Sequence, residues 1–175
     1  PASLDEDLRR RDFSYNAMAL RLDRDPGLLC DPLEGFADLR AGLTRGLHER
    51  TFIDDPTRLI RAGRYAARLG CRLEPQTRGW LDQAVAAGAL RTVTGQRLWG
   101  ELSRLLAEPT APEAVDLLSR WGVLERLGLT GSGSVELRAL QVAQQDLGLG
   151  DWDRAMAALG LLAGASMPDR VAEFG

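Results

Sequence analysis

The sequence contains no lysine, so its 22 basic residues are all arginine; they face 25 acidic residues, for a formal net charge of −3. A chain that is negative overall does not advertise nucleic-acid binding through its global charge. Any such role has to rest on where particular arginines sit. The guanidinium fork suits phosphates and base edges, but genome composition is the simplest source of the missing lysine. Histidine is nearly as scarce: His48 stands alone, which leaves little support for a histidine-rich zinc site or a Ser/Cys–His catalytic pair. It reads as a surface residue before the next helix. The two cysteines, Cys30 and Cys71, form no C-x-x-C pair and read as reduced, part-buried thiols of a cytosolic protein. No apolar run reaches the roughly 18 residues of a membrane span, no secretory pattern opens the chain, and no fixed-period repeat or low-complexity tract is present. The start at Pro1 rather than Met reads as a fragment or a trimmed chain.

What is present is a 45% hydrophobic sequence, a level that excludes disorder as the main state. Its periodicity predicts a mainly helical protein with one short extended region near the start. A helix is expected from Glu6 to about Leu22, anchored by Leu8, Phe13 and Met18, and broken by Asp25-Pro26-Gly27. Leu28–Cys30 reads as a strand, residues 31–35 as a turn, and Phe36–Leu39 as a return toward a second ordered element. A stronger helix is expected to be capped by Asp54 or Asp55, with Pro56 in its first turn, and to run to Leu69 and stop at Gly70. Further helices are expected at about Gln76–Ala87, Thr94–Ala107, Pro112–Trp121, Val135–Leu147 and Asp151–Leu162, with a linker at Leu129–Val135. The tryptophans 80, 99, 121 and 152 read as core or helix-contact residues.

The middle helix carries the chemistry. In DDPTRLIRAGRYAARLG (residues 54–70), a turn of about 100° per residue puts Arg61, Arg64 and Arg68 on one narrow face with Arg58 at its edge. Leu59, Ala62, Ala66 and Leu69 fall on the opposite side, to be buried. Beyond the first turn no acid interrupts the stripe, and Gly63 and Ala67 thin the helix beside it, so a polyphosphate could approach and be held by charge-assisted hydrogen bonds. The alternative is an ordinary solvated charged face. Asp55 and Arg58 neighbour one another on the first turn. They can offer an acceptor and donors to the Watson–Crick edge of a nucleobase, or act as a plain cap with a local ion pair.

At these residues the sequence resembles the class II tRNA nucleotidyltransferases (CCA-adding enzymes) and bacterial poly(A) polymerases. RRDFSYNAMAL (residues 10–20) is similar to that family's RRDFT-x-NA-x-A motif, DPLEGFADL (31–39) to its D-P-x-G-G-x-x-D-L turn, and residues 54–70 to its E/D-D-P-x-R-x-L-R-A-x-R-F-A-x-x-L-G helix. The three occur in the family's order with family-like spacing, and residues 95–127 resemble the helical segment that follows. The resemblance implies a mainly α chain: the remnant of a mixed α/β nucleotidyltransferase head (residues 1–50), an all-α neck that selects the nucleotide (51–108), and a helical body that begins an RNA-binding region (109–175). It implies that Arg11, Asp12 and Asn16 contact the ribose and triphosphate, that Asp55 and Arg58 pair with the base of CTP or ATP, and that Arg61 and Arg64 support that template and the triphosphate. Asp31, Gly35 and Asp38 would couple the head to the neck.

The resemblance further implies template-independent addition of C and/or A to the 3′ end of tRNA, with nucleoside triphosphates and RNA as partners and no membrane. The family's catalytic Mg2+ is held by upstream G-G-x-V-R-D and D-x-D carboxylates, expected before residue 1, so no catalytic or metal-binding residue is assigned within the chain. The triplets Asp5-Glu6-Asp7, Asp23-Arg24-Asp25 and Asp151-Trp152-Asp153 have D-x-D form, but a metal pair needs a rigid strand position; Asp7 sits where the family has an acid shortly before RRDF, and Asp151 reads as a helix cap. Departures from the pattern are Glu34 for the first glycine of the turn, Ser14 and Tyr15 for the usual threonine and small apolar residue, Tyr65 for phenylalanine, and Gln96 for a common glutamate. A non-catalytic RNA-binding or scaffold protein that retained the helical module is the alternative. Arg138, Gln144 and Gln145 could touch RNA, although a solvated face is the simpler reading.

Overall fold

The computed structural model describes residues 3–22, 27–129, 137–139 and 160. The chain opens on α1 (Leu4–Arg9), started by a capping box in which Ser3 and Glu6 satisfy each other's backbone amides. A 3₁₀ turn (Ser14–Asn16) leads into an antiparallel ribbon of β1 (Ala19–Arg21) and β2 (Leu28–Cys30), in which Leu20 faces Leu29. Then come α2 (Gly35–Arg40), β3 (Leu43–Thr44), α3 (Thr51–Asp54), α4 (Arg58–Leu69) and β4 (Arg72–Leu73). β3 and β4 form a short parallel pair that embraces α4. The rest is helical: α5 (Pro75–Ala86), a 3₁₀ turn (Ala89–Thr92), α6 (Gly95–Leu106), α7 (Ala111–Arg120) and α8 (Val123–Arg126). The protein is therefore mainly α, with extended structure among the described residues confined to two small sheets. The helices expected at 135–147 and 151–162, and the linker between 129 and 135, lie largely outside the described residues, as do Gln144, Gln145 and Trp152.

The long helix expected from Glu6 to Leu22 does not form. α1 ends at Arg9 because the next residues find hydrogen bonds elsewhere in the chain. Phe13 bridges to Gly46, Ser14 N–H donates to the Arg45 carbonyl at 3.0 Å, and Phe13 N–H is held by the Asp12 carboxylate at 2.9 Å. Phe13 enters the core completely, with Leu8 also buried and Met18 packed against its edge. Tertiary burial thus overrides local helix propensity. The 36–39 segment forms helix α2, started by Asp31, whose two carboxylate oxygens accept from the amides of Gly35 (2.7 Å) and Phe36 (2.9 Å).

α4 is the axis of the fold, and its limits follow from its sequence. Asp55 Oδ1 accepts from Thr57 N–H (3.2 Å) and Oγ1 (2.7 Å), so the helix begins at Arg58, after Pro56 rather than at it. Gly70 ends it in the left-handed conformation, φ +62°. Leu59, Ile60, Ala62 and Ala66 are buried, whereas Leu69, expected among them, is 40% exposed in the last turn. Around this face gather Phe13, Phe52, Leu81, Leu105, Leu118 and Val123, all fully buried. Trp121 is buried too, with Trp80 and Trp99 packed at the margin of the same core. Cys71 is buried and Cys30 half-buried, both as free thiols.

Gly63 faces α7, not a ligand. A Cβ there would lie 2.6 Å from both Cγ and Cδ2 of Leu118, whose side chain is itself fully buried. Helix propensity alone favours alanine over glycine by about 1 kcal/mol, so the sign of the effect is diagnostic. Gly63→Ala is expected to destabilise the protein by about 1–3 kcal/mol in urea unfolding, and the loss to shrink when Leu118→Ala is present in the same chain. A Gly63→Ala protein as stable as wild type would mean that α4 and α7 are less tightly apposed.

Candidate nucleotide-binding site

Two stretches far apart in the sequence face each other across a cavity of about 380 Å³, lined by Arg10, Arg11, Asp12, Asn16, Asp55, Arg58, Arg61 and Tyr65. One wall is the irregular segment after α1; the other is the start of α4 and the residue that caps it. Six of the seven residues assigned to the nucleotide from the sequence meet here: Arg11, Asp12, Asn16, Asp55, Arg58 and Arg61. The seventh, Arg64, does not.

Asp12 holds the two walls together. It is buried. Its Oδ1 accepts from its neighbour's amide and from Asn16 Nδ2 at 2.9 Å, and its Oδ2 from Arg61 Nε at 2.8 Å. Arg61 is half-buried and also reaches Glu101 of α6 at 3.4 Å and the Tyr65 hydroxyl at 3.4 Å. Burial acts to lower the pKa of this guanidinium, but the adjoining Asp12 carboxylate outweighs it and the pKa is raised. Arg61 is thus a fixed cation at all working pH values.

Asp55 and Arg58 are held apart from each other. Asp55 Oδ1 is saturated by Thr57 and by Arg97 of α6, whose Nη2 lies 3.0 Å away. Its Oδ2 takes part in none of these bonds. Arg58 donates through Nη1 to Thr51 Oγ1 (2.9 Å) and through Nη2 to the Arg10 carbonyl (3.0 Å). The local ion pair that the spacing allowed does not form; both side chains are anchored to other segments, and both residues line the cavity. Arg11 is exposed at the mouth, tethered to Asp7 at 2.6 Å. A second cavity, of about 310 Å³, lies against α6 and shares Asp55 and Arg61 with the first; Gln96, Arg97 and Arg104 also line it.

The arginine stripe needs correction. No acid interrupts it within the helix sequence, and from the sequence it reads as a face that a polyphosphate could approach or as a solvated charged face. Instead Glu101 and Glu108 approach it from α6 and the turn beyond. Arg64 is 8% exposed, with Glu108 at 3.3 Å and Glu101 at 3.7 Å, and Arg68 is bound to Glu108 through two nitrogens. Only Arg61 and, at the edge, Arg58 reach the cavity. Arg64 turns inward because its neutralising acids lie across the helix interface, which leaves it a structural cation.

The remaining assigned residues lie in the turn before and within α2. Asp31 caps the helix. Asp38 is buried and accepts from Ser14 Oγ (2.5 Å) and Arg45 Nε (2.7 Å). Gly35 packs so closely on the Ser14 carbonyl that a Cβ would overlap it. This knot braces the back of the Asp12 segment. Glu34, where the family pattern has glycine, adopts φ +58°, a left-handed conformation costly for a residue with a side chain.

Sequence reasoning overlooked Arg10, Tyr65, Arg97 and Glu101. Arg10 was visible as the first arginine of the RRDF motif, and Arg97 and Glu101 as residues four apart on one face of α6. The acidic triplets do not form a metal site among the described residues. Asp5 and Asp7 pair with Arg9 and Arg11, and Glu6 closes the capping box. Asp23-Arg24-Asp25 and Asp151-Trp152-Asp153 lie outside the described residues. No group of three or more His, Cys, Asp or Glu side chains among the described residues could hold a metal ion.

Comparison with known proteins decides the family. Residues 1–45 match the poly A polymerase head domain. The chain is 44% identical over 146 residues, 82% of its length, to the CC-adding tRNA nucleotidyltransferase of Deinococcus radiodurans, of which it covers 37%. The chain belongs to the tRNA nucleotidyltransferase and poly(A) polymerase family. It superimposes on a CCA-adding enzyme solved in complex with CTP, with a TM-score of 0.83 and 34% identity over 98% of this chain and 43% of that one. It likewise superimposes on the Thermotoga maritima CCA-adding enzyme complexed with tRNA, with a TM-score of 0.82 and 33% identity over 98% of this chain and 43% of that one. The chain spans between 16% and 38% of the length of the curated tRNA nucleotidyltransferases it matches. In a family whose members act on nucleotides, the inward turn of Arg64 leads to a definite expectation. Arg64→Ala takes one cation from Glu101, which keeps Arg61 and Arg104, and one from Glu108, which keeps Arg68. It is expected to cost about 1–3 kcal/mol of stability, read by urea unfolding, and to leave the nucleotide affinity of the folded fraction within about twofold. A variant of unchanged stability with weakened nucleotide binding would return Arg64 to the phosphate-facing role.

Proposed function

We propose that this chain is the nucleotide-selecting part of a template-independent RNA nucleotidyltransferase that adds C and/or A to the 3′ end of tRNA. The observation that carries the proposal is the cavity in which an acceptor, Asp55, and a donor, Arg58, stand at fixed positions beside Arg11, Asp12 and Asn16. Cytosine and adenine each present an exocyclic amino donor next to a ring-nitrogen acceptor. A carboxylate oxygen beside a guanidinium complements that pair. Uracil and guanine present a carbonyl acceptor next to a ring N–H donor, and meet the same two groups with the pattern reversed. A rigid helix start can therefore choose between bases without a nucleic-acid template. In this reading Arg11, Asp12 and Asn16 take the ribose and triphosphate, and Arg61, fixed by Asp12 and Glu101, keeps the two walls in register.

The reaction of the intact enzyme is attack of the RNA 3′-hydroxyl on the α-phosphate of CTP or ATP, with pyrophosphate leaving. The part played by the described residues is binding, orientation and choice. Their carboxylates do not fit a divalent-cation site: Asp12 is spent on Asn16, Arg61 and a backbone amide, and one Asp55 oxygen on Thr57 and Arg97. The Mg2+ of such an enzyme belongs to carboxylates outside this set. By the same reading, residues 1–50 are head, 51–108 neck and 109–175 body; Asp31 holds the start of α2, Gly35 and Asp38 brace the Ser14 segment, and that segment couples to the neck through the bond of Asp12 to Arg61. A cytoplasmic location fits the free thiols of Cys30 and Cys71. No helix among the described residues is long and apolar enough to cross a membrane.

Arg58→Ala in the full-length protein tests the template. In a competition between all four triphosphates, discrimination against UTP and GTP is expected to fall by about tenfold or more, with total nucleotide incorporation reduced less. Unchanged selectivity would remove Arg58 from base recognition.

A further inference from the structure

We infer that Tyr65 is a positioning residue for this site: its ring and hydroxyl fix the Arg61 guanidinium between Asp12 and Glu101, so that Tyr65 governs nucleotide affinity through Arg61 and not through direct stacking on the base. The inference rests on the reading of the cavity as a nucleotide site and adds to it a residue that the resemblance treated as a neutral exchange for phenylalanine.

Tyr65 lies at the crossing of three systems. Towards the segment after α1, its ring meets Phe13 and Tyr15 edge-on, with centroids 6.1 Å apart in each case and interplanar angles of 75° and 68°. Towards its own helix, the guanidinium carbons of Arg61, Arg64 and Arg68 lie 5.4, 4.7 and 5.3 Å from its centroid. Beyond those arginines stand Glu101 and Glu108, which pair with them. A tyrosine ring attracts cations through its quadrupole, and here it gathers three on one helix where mutual repulsion would otherwise splay them.

Tyr65 is also the one aromatic residue lining the 380 Å³ cavity. A bare ring there would be a stacking platform for a nucleobase. Surrounded by guanidinium groups and the edges of Phe13 and Tyr15, the ring is already engaged. Its hydroxyl accepts from Arg61 Nη2 at 3.4 Å. Arg61 has Asp12 on one side and Glu101 on the other. Without the ring and the hydroxyl, the guanidinium can swing toward the second cavity, which it also lines, and let go of Asp12. The cavity wall then loses the strut that orients Asp12 and Asn16.

The test is a mutant cycle in the full-length protein, read by steady-state kinetics with CTP and by calorimetric CTP binding. Tyr65→Leu is expected to raise both KM and Kd for CTP about tenfold while kcat changes by less than about twofold and selectivity among triphosphates is kept. Tyr65→Phe, which restores the ring, is expected to recover all but about twofold. Adding either substitution to Arg61→Ala is expected to change nothing further, because Tyr65 acts through Arg61. If Tyr65→Leu does not fold, the small Tyr65→Phe effect and its disappearance in the Arg61→Ala background carry the same test. The inference is overturned if KM and Kd stay at wild-type values in the Tyr65 variants. It is overturned equally if the effects of Tyr65 and Arg61 multiply, or if Tyr65→Leu lowers kcat and selectivity together, the pattern of a general packing defect. A wild-type protein that binds no CTP would bring down the nucleotide reading and this inference with it. Normal CTP binding with an Arg58-dependent selectivity, but no Tyr65 effect, would bring down this inference alone.

Discussion

The bond between Arg61 and Asp12 is the interaction on which the rest of the site depends. The two residues are separated by 49 positions in sequence and belong to the two walls of the cavity. A buried carboxylate such as that of Asp12 needs a cation and hydrogen-bond donors in place of water. Arg61, Asn16 and the Phe13 amide supply all three of those contacts at 2.8–2.9 Å. The charge is therefore satisfied only when the segment after α1 is seated on α4. The cavity and the core share these contacts: the same seating buries Phe13 against Phe52 and Tyr65.

The arginines of α4 divide into two sets according to their surroundings. Arg58 and Arg61, in the first half of the helix, reach the cavity. Arg64 and Arg68 reach Glu101 and Glu108 instead and are consumed in holding α4 to α6 and the turn that follows it. The same acids leave Arg61 with its cationic end shared between Asp12 and Glu101. A stripe that would be strongly positive in isolation becomes a nearly neutral interface with a positive tip. The uncompensated positive charge of α4 is thereby concentrated beside Asp55 and Arg58, not spread along the helix.

Much of this was legible in the sequence, for identifiable reasons. α4 and the later helices announce themselves through Pro56, Gly70 and regular apolar spacing, all local signals. Six of the residues that surround the cavity, all but Arg10 and Tyr65, could be named because three motifs occurred in order. The region from Arg10 to Leu22 was misread because its determinants are not local. Phe13 pairs with Gly46 and Ser14 with Arg45, and periodicity within one segment cannot report such partners. The inward turn of Arg64 was hidden for the same reason, since Glu108 lies 44 residues further on. Gly63 was correctly seen as a point of close approach, but the visitor is Leu118 of α7 and not a ligand. Composition made the arginines conspicuous; only packing reveals which of them are already spoken for.

The central claim is that one carboxylate and one guanidinium, held by the start of α4, read the edge of a base in the cavity closed by Asp12 and Arg61. A crystal structure of the full-length protein with CTP tests it most directly. The account predicts the cytosine edge within hydrogen-bond distance of both the Asp55 carboxylate and the Arg58 guanidinium, with the phosphates extending past Asp12 toward Arg11. A nucleotide bound elsewhere, or one in this cavity with its base turned away from both residues, would contradict it.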